Sequence, residues 1–319
     1  MEQSNQTNVQ VFILLGLSDV PGLKLIFFVV FFIMYVVTLS ANFLLIIVVQ
    51  LNPRLQTPMY FFLTNLSIID ICFSSTVVPR ILVNTISQDR SISFLGCAAQ
   101  MYFHLALGGV ECLILTVMAF DRYTAICKPL QYNRIMSKQL CLRLAIVSWM
   151  LGFQNSIIQA VFTFQLPFCK SNVIDHFFCE IPPLLRLSCK DIYLNELSGF
   201  IATTIFAFGT FLIIFVSYFY ITLTILKTHT ANLRKKAFST CASHITVVSI
   251  YYGTIIFMHL RPQSSYFPEQ DRAISIIYTV VTPMVNPIIY SIRNKDIKGS
   301  IRKTLSKHIH IQYIAMKKS

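Results

Sequence analysis

An acid and a base stand side by side at Asp121 and Arg122, closing an apolar run that includes Leu113, Ile114, Leu115, Val117, Met118, Ala119 and Phe120. Where a buried helix meets water, such a pair has two uses. Arg122 can carry its charge to lipid headgroups on a long stem. It can also be held by Asp121 and released when neighbouring helices move. Lys128-Pro129 then ends the helix, because proline lacks an N–H and restricts the residue before it. Two further acids, Asp70 and Glu111, lie inside apolar runs. A carboxylate in hydrocarbon costs about 3 kcal/mol or more, so each marks an ion or water site, unless it is a neutral carboxyl joining helices. Asn42 and Asn286 lie on other apolar runs and can share a polar cluster with Asp70. His104, Gly108 and Glu111 fall on one helical face, as do Tyr252, Ile255 and His259. With Leu105, Phe206 and Thr279 they frame a small, mostly apolar pocket with a few polar groups, the usual form of a small-molecule site. The competing reading is ordinary packing, with each histidine bonded to a carbonyl. No metal centre is expected, since spacing alone cannot join His104 to His259.

These residues need apolar helices to position them. The chain has 319 residues, 27 of them Phe, only 12% charged, with a mean hydropathy of +0.64. Those values point to an all-α, polytopic membrane protein. Seven segments qualify as spans: Leu25–Val49, Met59–Val78, Ala98–Phe120, Leu144–Val161, Leu197–Leu226, His244–Leu260 and Ile274–Tyr290. Thr57 and Pro58 suit the N-cap and first position of the second span. Pro283 and Pro287 predict kinks in the seventh. The first residues lack the basic region and cleavage site of a signal peptide, so the first span is expected to act as its own insertion signal. The expected division is an extracellular N-terminus over 1–24, a seven-transmembrane helix bundle over 25–290 and a cytoplasmic tail over 291–319. A short interfacial helix can follow the seventh span, with Ile297, Ile301 and Leu305 on one face.

With the N-terminus outside, 18 of the 26 basic residues fall on the inner side, where Asp121 and Asp296 are the only acids. The positive-inside rule supports that orientation. The net charge of +13 is then a property of the cytoplasmic face, directed at anionic lipid or an acidic partner. Nucleic acid is not needed to explain it. Asn5-Gln6-Thr7 is a glycosylation sequon on the matching side. Cys97, Cys169, Cys179 and Cys189 are all outside, where disulfides persist, and four cysteines allow three pairings. A bridge closing about 80 residues contributes at most ~4–5 kcal/mol in the chain-entropy model. Cys72, Cys112, Cys127, Cys141 and Cys241 read as free thiols.

Five stretches in order make the chain resemble a rhodopsin-like (class A) G-protein-coupled receptor and, within that class, an olfactory (odorant) receptor. They are PMYFFLTNLSIID (Pro58–Asp70), MAFDRYTAICKPLQY (Met118–Tyr132), HFFCEIPPLLRLSC (His176–Cys189), KAFSTCASH (Lys236–His244) and PMVNPIIYSIRNKDIK (Pro283–Lys298). Leu260-Arg261-Pro262 resembles the class II, tetrapod-type branch. The resemblance implies pairing of Cys97 with Cys179 and of Cys169 with Cys189. It implies a sodium ion at Asp70, with Asn42, Glu111 and Asn286 near it, and no other cofactor. It places Arg122 against Asp121 at rest and against a G protein when active, with Tyr123 beside them. Tyr218 and Tyr290 would rearrange on activation, and Tyr252 would lie at the pocket floor. The partners implied are a small, volatile, mostly hydrophobic odorant and the olfactory stimulatory G protein, which raises cyclic AMP. The implied location is the plasma membrane of olfactory neuron cilia. Ala41, Phe120, Thr124 and Tyr251 depart from the usual residues, and none removes a charged switch residue.

Other classes fit less well. A retinal-bound pump needs a lysine in the last span, and Ile274–Tyr290 has none. A secondary transporter favours internal repeats. An enzyme needs a nucleophile with its base, or a metal set, at one depth. The remaining alternative is a rhodopsin-like receptor for a small non-odorant ligand outside the olfactory epithelium. Tyr252, standing where a tryptophan is usual, disfavours it.

Overall fold

The computed structural model describes residues 9–17, 20–228, 230–259, 268–293 and 297–300. Among them seven long helices form the bundle: α1 (Pro21–Leu51), α2 (Pro58–Ile86), α3 (Phe94–Cys127), α4 (Lys138–Phe164), α5 (Tyr193–Lys227), α6 (Ala231–His259) and α7 (268–293). Six are long and apolar enough to cross a membrane. On α6 the apolar stretch is the shorter Cys241–Phe257. Each helix overruns its apolar core, because helical hydrogen bonds continue where side chains become polar. The sixth does so most, starting at Ala231 rather than His244. Arg234 is exposed on its inner third.

The helix starts follow local chemistry. Ser93 caps α3 by accepting from Gly96 N at 3.1 Å, and Ser137 caps α4 by accepting from Leu140 N at 3.3 Å. Thr57 occupies the N-cap of α2 with extended backbone, but its side chain makes no capping bond. Pro58 at the first position sets that start alone. The irregularity expected at Pro283 and Pro287 appears just before them, as a wide turn over Ile277–Val281. Proline has no N–H for the carbonyl four residues before it, so the regular ladder cannot run through Pro283. In the wide turn Ile277 O accepts from the backbone N–H of Thr282 and, at 3.0 Å, from its Oγ1. A second wide turn, Thr204–Gly209, interrupts α5 without any proline.

The centre of the bundle is α3. It lies so close to α4 that a Cβ on Gly152 would stand 2.5 Å from Val110 Cγ2 and 2.8 Å from Ala106 O. The main core gathers around it, including Leu66, Phe73, Val110, Ile114, Leu115, Tyr251 and Tyr252. The outward faces of α1, α4 and α5 carry exposed apolar side chains such as Phe32, Phe43, Met150, Leu212 and Phe215, a surface suited to lipid.

The outer end differs from the all-α expectation. Val11–Leu14 (β1) pairs antiparallel with Ser91–Ser93 (β2) and parallel with Val173–Ile174 (β3), in the order β2-β1-β3. Alternate residues of β1 point inward, so Phe12 and Leu14 are fully buried while Val11 and Ile13 are exposed. Phe12 meets Phe168 edge-on at 5.4 Å and joins a cluster with Cys97, Ile174, Cys179 and Leu187. The N-terminal stretch is thus a structural part of the outer cap. Disulfides Cys97–Cys179 and Cys169–Cys189, with Cα atoms 5.5 and 5.8 Å apart, tie the long loop between α4 and α5 over the bundle. In the expected interfacial helix, residues 297–300 are helical and Ile297 is buried in the main core. Ile301 and Leu305 lie outside the described residues, as do the Asn5 sequon and Leu260-Arg261-Pro262.

Candidate ligand pocket and inner switch

The structure divides the expected pocket residues between two places. On the α5–α6 side, Tyr252 Oη and Thr210 Oγ1 are 2.7 Å apart, and the Tyr252 ring lies 5.4 Å from that of Phe211. Tyr251 Oη donates to Gly108 O at 2.8 Å and reaches Cys112 Sγ at 3.5 Å. Phe206, at the wide turn of α5, lies so that a Cβ on Gly109 would stand 3.6 Å from its ring. Ile255, on the next turn of α6, packs against the main core. This junction of α3, α5 and α6 is apolar, with phenols and a threonine hydroxyl as its polar groups.

His104 is not part of that junction. Its ring stacks on Phe73 of α2 at 4.5 Å and lies 4.8 Å from Phe178 and 5.7 Å from Tyr278. Leu105 packs into the outer cluster around the disulfide. Successive helical residues point about 100° apart, so the two neighbours serve different walls. Thr279 is buried on α7, its hydroxyl bonded to Ser275 O. The side chain of His259 lies outside the described residues.

The loop roof over His104 is held firmly. Gln100 of α3 accepts from Cys179 N at 3.0 Å and donates to Thr76 O of α2 at 2.9 Å. Glu180 accepts from Tyr278 Oη at 3.0 Å and stands 3.8 Å from His176 Nε2. Burial pushes the Glu180 carboxyl up to about 7, partly offset by the Tyr278 bond. Burial pushes the His176 imidazole down to about 3.

Deeper in, Asn286 Nδ2 donates to both carboxylate oxygens of Asp70, at 3.0 and 3.3 Å. Glu111 faces the same amide, and its Oε1 is buried without a hydrogen-bond partner. Asn42 is close by but turned elsewhere: its amide donates to Thr38 O and Pro283 O, leaving Oδ1 unpartnered. Two carboxyl groups around one amide, with spare oxygens, form a donor set for a small hard cation.

At the inner end the structure gives Asp121 a partner that the resemblance did not imply. Asp121 Oδ1 accepts from Tyr132 Oη at 2.7 Å. Among the described residues, the ion pairs found lie at the outer end of the bundle, and none joins Asp121 to Arg122. Residues adjacent on a helix do not face each other, whereas Tyr132 returns over α3 from the turn that follows it. Asp121 in turn raises the Tyr132 phenol's pKa, after burial. Arg122 and Tyr290 are both buried, and Tyr290 Oη has no hydrogen-bond partner. Tyr123 packs edge-on to Tyr220, with Lys128 Nζ 5.7 Å above its ring.

His244 is the residue that sequence reasoning passed over, although KAFSTCASH ends on it. Its Nε2 lies 3.0 Å from Leu115 O and its Nδ1 lies 2.8 Å from Tyr218 Oη. A carbonyl only accepts, so Nε2 carries the proton, and in the neutral ring Nδ1 accepts from the tyrosine. One side chain thereby clasps α3, α5 and α6 together above Arg122.

Seven helices around a central third, a disulfide-tied loop over one end and a buried arginine at the other define a seven-helix membrane receptor. A sequence profile of the family described as "Olfactory receptor" matches residues 31–308. Human olfactory receptor 2G3 is 49% identical over 306 residues, covering 96% of this chain and 99% of its own. Human olfactory receptor 13C9 is 50% identical over 308 residues, covering 95% and 97%. The dog olfactory receptor-like protein OLF3 is 47% identical over 305 residues, covering 96% of each. The chain belongs to the olfactory receptor family. It is a multi-pass membrane protein and a receptor, not an enzyme.

Proposed function

We propose that the chain binds a small, volatile, mostly hydrophobic odorant inside the bundle and activates the olfactory stimulatory G protein, raising cyclic AMP. The plasma membrane of olfactory neuron cilia is its place of work. The observation that carries this reading is that α3, α5 and α6 meet twice. They meet at Tyr251, Tyr252, Thr210 and Gly108 in the outer half, and at His244, Tyr218 and Leu115 in the inner half. A ligand that binds better when the outer junction is rearranged also favours opening of the inner one, and only that difference in affinity shifts the population. Opening releases α6 from α3 and bares Arg122 to the G protein. Tyr218 and Tyr290 are then the phenols that can take up new partners.

The Asp70 cluster fits a sodium ion, with Asp70 and Glu111 supplying charge and Asn42 Oδ1 a further oxygen. Such an ion would hold α2, α3 and α7 together and favour the resting state. Residues 25–290 are the receptor domain, with 291–319 as the cytoplasmic tail. The test is a cyclic AMP reporter in cells expressing the chain, screened with a panel of odorants. A dose-dependent rise with a panel member supports the reading. A response through another second messenger would sink the coupling, and silence towards every odorant with the receptor at the surface would count against the ligand class.

A further inference from the structure

Between the outer ends of α1 and α2 lies a partly enclosed cleft. Gly16, Lys24, Asn84 and Arg90 line it, with apolar walls that include Phe27 and Phe177. Asn84 is 4% exposed, and neither Nδ2 nor Oδ1 of its amide has a hydrogen-bond partner. Buried amides are normally paired, so this one calls for an occupant. Lys24 is partly buried, and its ammonium makes no hydrogen bond or ion pair among the described residues. Arg90 is fixed at the same place. Its Nη1 donates to Leu15 O at 2.6 Å. Gly16, at a φ of 75°, carries its backbone past the guanidinium, where a Cβ would stand 3.8 Å from Nη1.

Charge and size select the occupant. Amide, ammonium and guanidinium nitrogens all donate. Two positive charges line the cleft and, among the described residues, no carboxylate does, so an anion is favoured over a cation. Asp89, next to Arg90 in the chain, is turned away and accepts from Ser91 N at 2.8 Å. The interior of the cleft is about 10 Å³. One water needs about 10–15 Å³, so the four oxygens of a phosphate or sulfate do not fit, whereas a monatomic halide does. We propose that the cleft binds one chloride ion, held by Asn84 Nδ2 and Lys24 Nζ, with the charge of Arg90 beside it. Lys24 can also donate to Asn84 Oδ1, which gives both unpartnered amide atoms a role.

The ion would join parts of the chain that meet only at this end. Gly16 precedes α1, Lys24 belongs to α1 and Asn84 to α2. Arg90 lies just before β2, and its carbonyl accepts from Leu14 N of β1 at 3.1 Å. The N-terminal strand thereby gains an anchor on the first two helices, besides its pairing in the sheet. The site includes no residue of the Asp70 cluster or of the Tyr252 junction. Chloride therefore acts on the stability of the outer cap, apart from ligand and sodium.

The full chain in lipid nanodiscs is heated in sodium chloride or in sodium gluconate of equal ionic strength, so that sodium and screening are the same in both. The melting temperature should rise saturably with chloride and with bromide, and not with gluconate. The chloride NMR line reads binding directly: it should broaden with the protein and sharpen again when bromide is added. Lys24→Gln removes a charge from a partly buried side chain and should weaken chloride binding about tenfold. Asn84→Asp, which puts a carboxylate into the cleft, should abolish it. Lys170→Gln, at an exposed lysine of the outer loop, should change neither reading. Melting in gluconate shows whether each variant folds, and Lys24→Gln serves if Asn84→Asp does not. Equal melting in chloride and gluconate, or no broadening, would mean that a water fills the cleft and would overturn the proposal. Broadening that survives in the folded variants, or that Lys170→Gln weakens as much as Lys24→Gln, would overturn it too. Odorant and G protein take no part in either measurement, so failure here is distinct from failure of the signalling reading.

Discussion

Tyr132 holds Asp121 from outside the helix that Asp121 belongs to. The phenol reaches back across the Lys128-Pro129 turn and donates at 2.7 Å to a carboxylate that is almost fully buried. The acid beside Arg122 is therefore committed to the second inner loop, and the loop reports on the state of α3. Tyr132→Phe removes the donor and leaves the ring packing. A hydrogen bond to a charged acceptor is worth about 1.5–3 kcal/mol. If the bond favours the resting state, basal cyclic AMP should rise several-fold at equal surface expression. An unchanged baseline in the reporter would mean that the bond is made equally well in both states.

Arg122 sits buried at the inner end of α3, next to Tyr123, which packs into the cluster of Ile221 and Ile225 from α5 and Cys241 from α6. Arg122→Ala should abolish odorant-evoked cyclic AMP while surface labelling stays near that of the parent. Equal signalling from that variant would end its role as the switch.

The contact of α3 with α4 depends on a missing side chain. Gly152→Ala would press a methyl into Val110 and into the Ala106 carbonyl. Overpacking of this kind costs about 1–3 kcal/mol. Gly22, where a Cβ would meet nothing within 4 Å, provides the control. Surface expression and melting temperature should fall for Gly152→Ala and hold for Gly22→Ala.

The buried carboxyl of Glu180 gives the outer cap a pH dependence. Its value in the folded chain, about 7, lies above the ordinary carboxylate range. A raised acid favours folding while it is protonated. That contribution is fully present below the unfolded value of about 4.3 and is lost as pH rises to about 7. The melting temperature should therefore decline between about pH 5 and about pH 8. Glu180→Gln should flatten this part of the profile. A profile unchanged by the substitution would show that other groups set it.

Much of this architecture was legible in the chain, and the reasons differ by element. The seven spans follow from hydrocarbon thickness, which every apolar run must match. The outer ends were less legible, since β1 is four residues long and its partners lie far away in sequence. Asp70 and Asn286 were readable as polar residues in apolar runs, and the structure bonds them directly. Pocket residues were harder, because helical spacing gives a face but not the neighbour it meets. His104 shows this, turning to α2 and α7 rather than to α5. His244 was visible as a histidine in a quoted motif, but its three-way grip depends on Leu115 and Tyr218, and no spacing relates those three residues.

The strand β1 also sets an order of assembly. It precedes every helix of the bundle, yet β2 follows two helices later and β3 only after four. Until then Phe12 and Leu14 lack the half of their site that Phe168, Ile174, Cys179 and Leu187 supply. A chain threaded as far as α4 has β2 to pair one edge of β1, while the edge that β3 covers is still open. The cap closes late, and a chain that stalls before β3 leaves that edge open to pairing with a chaperone or a neighbouring chain.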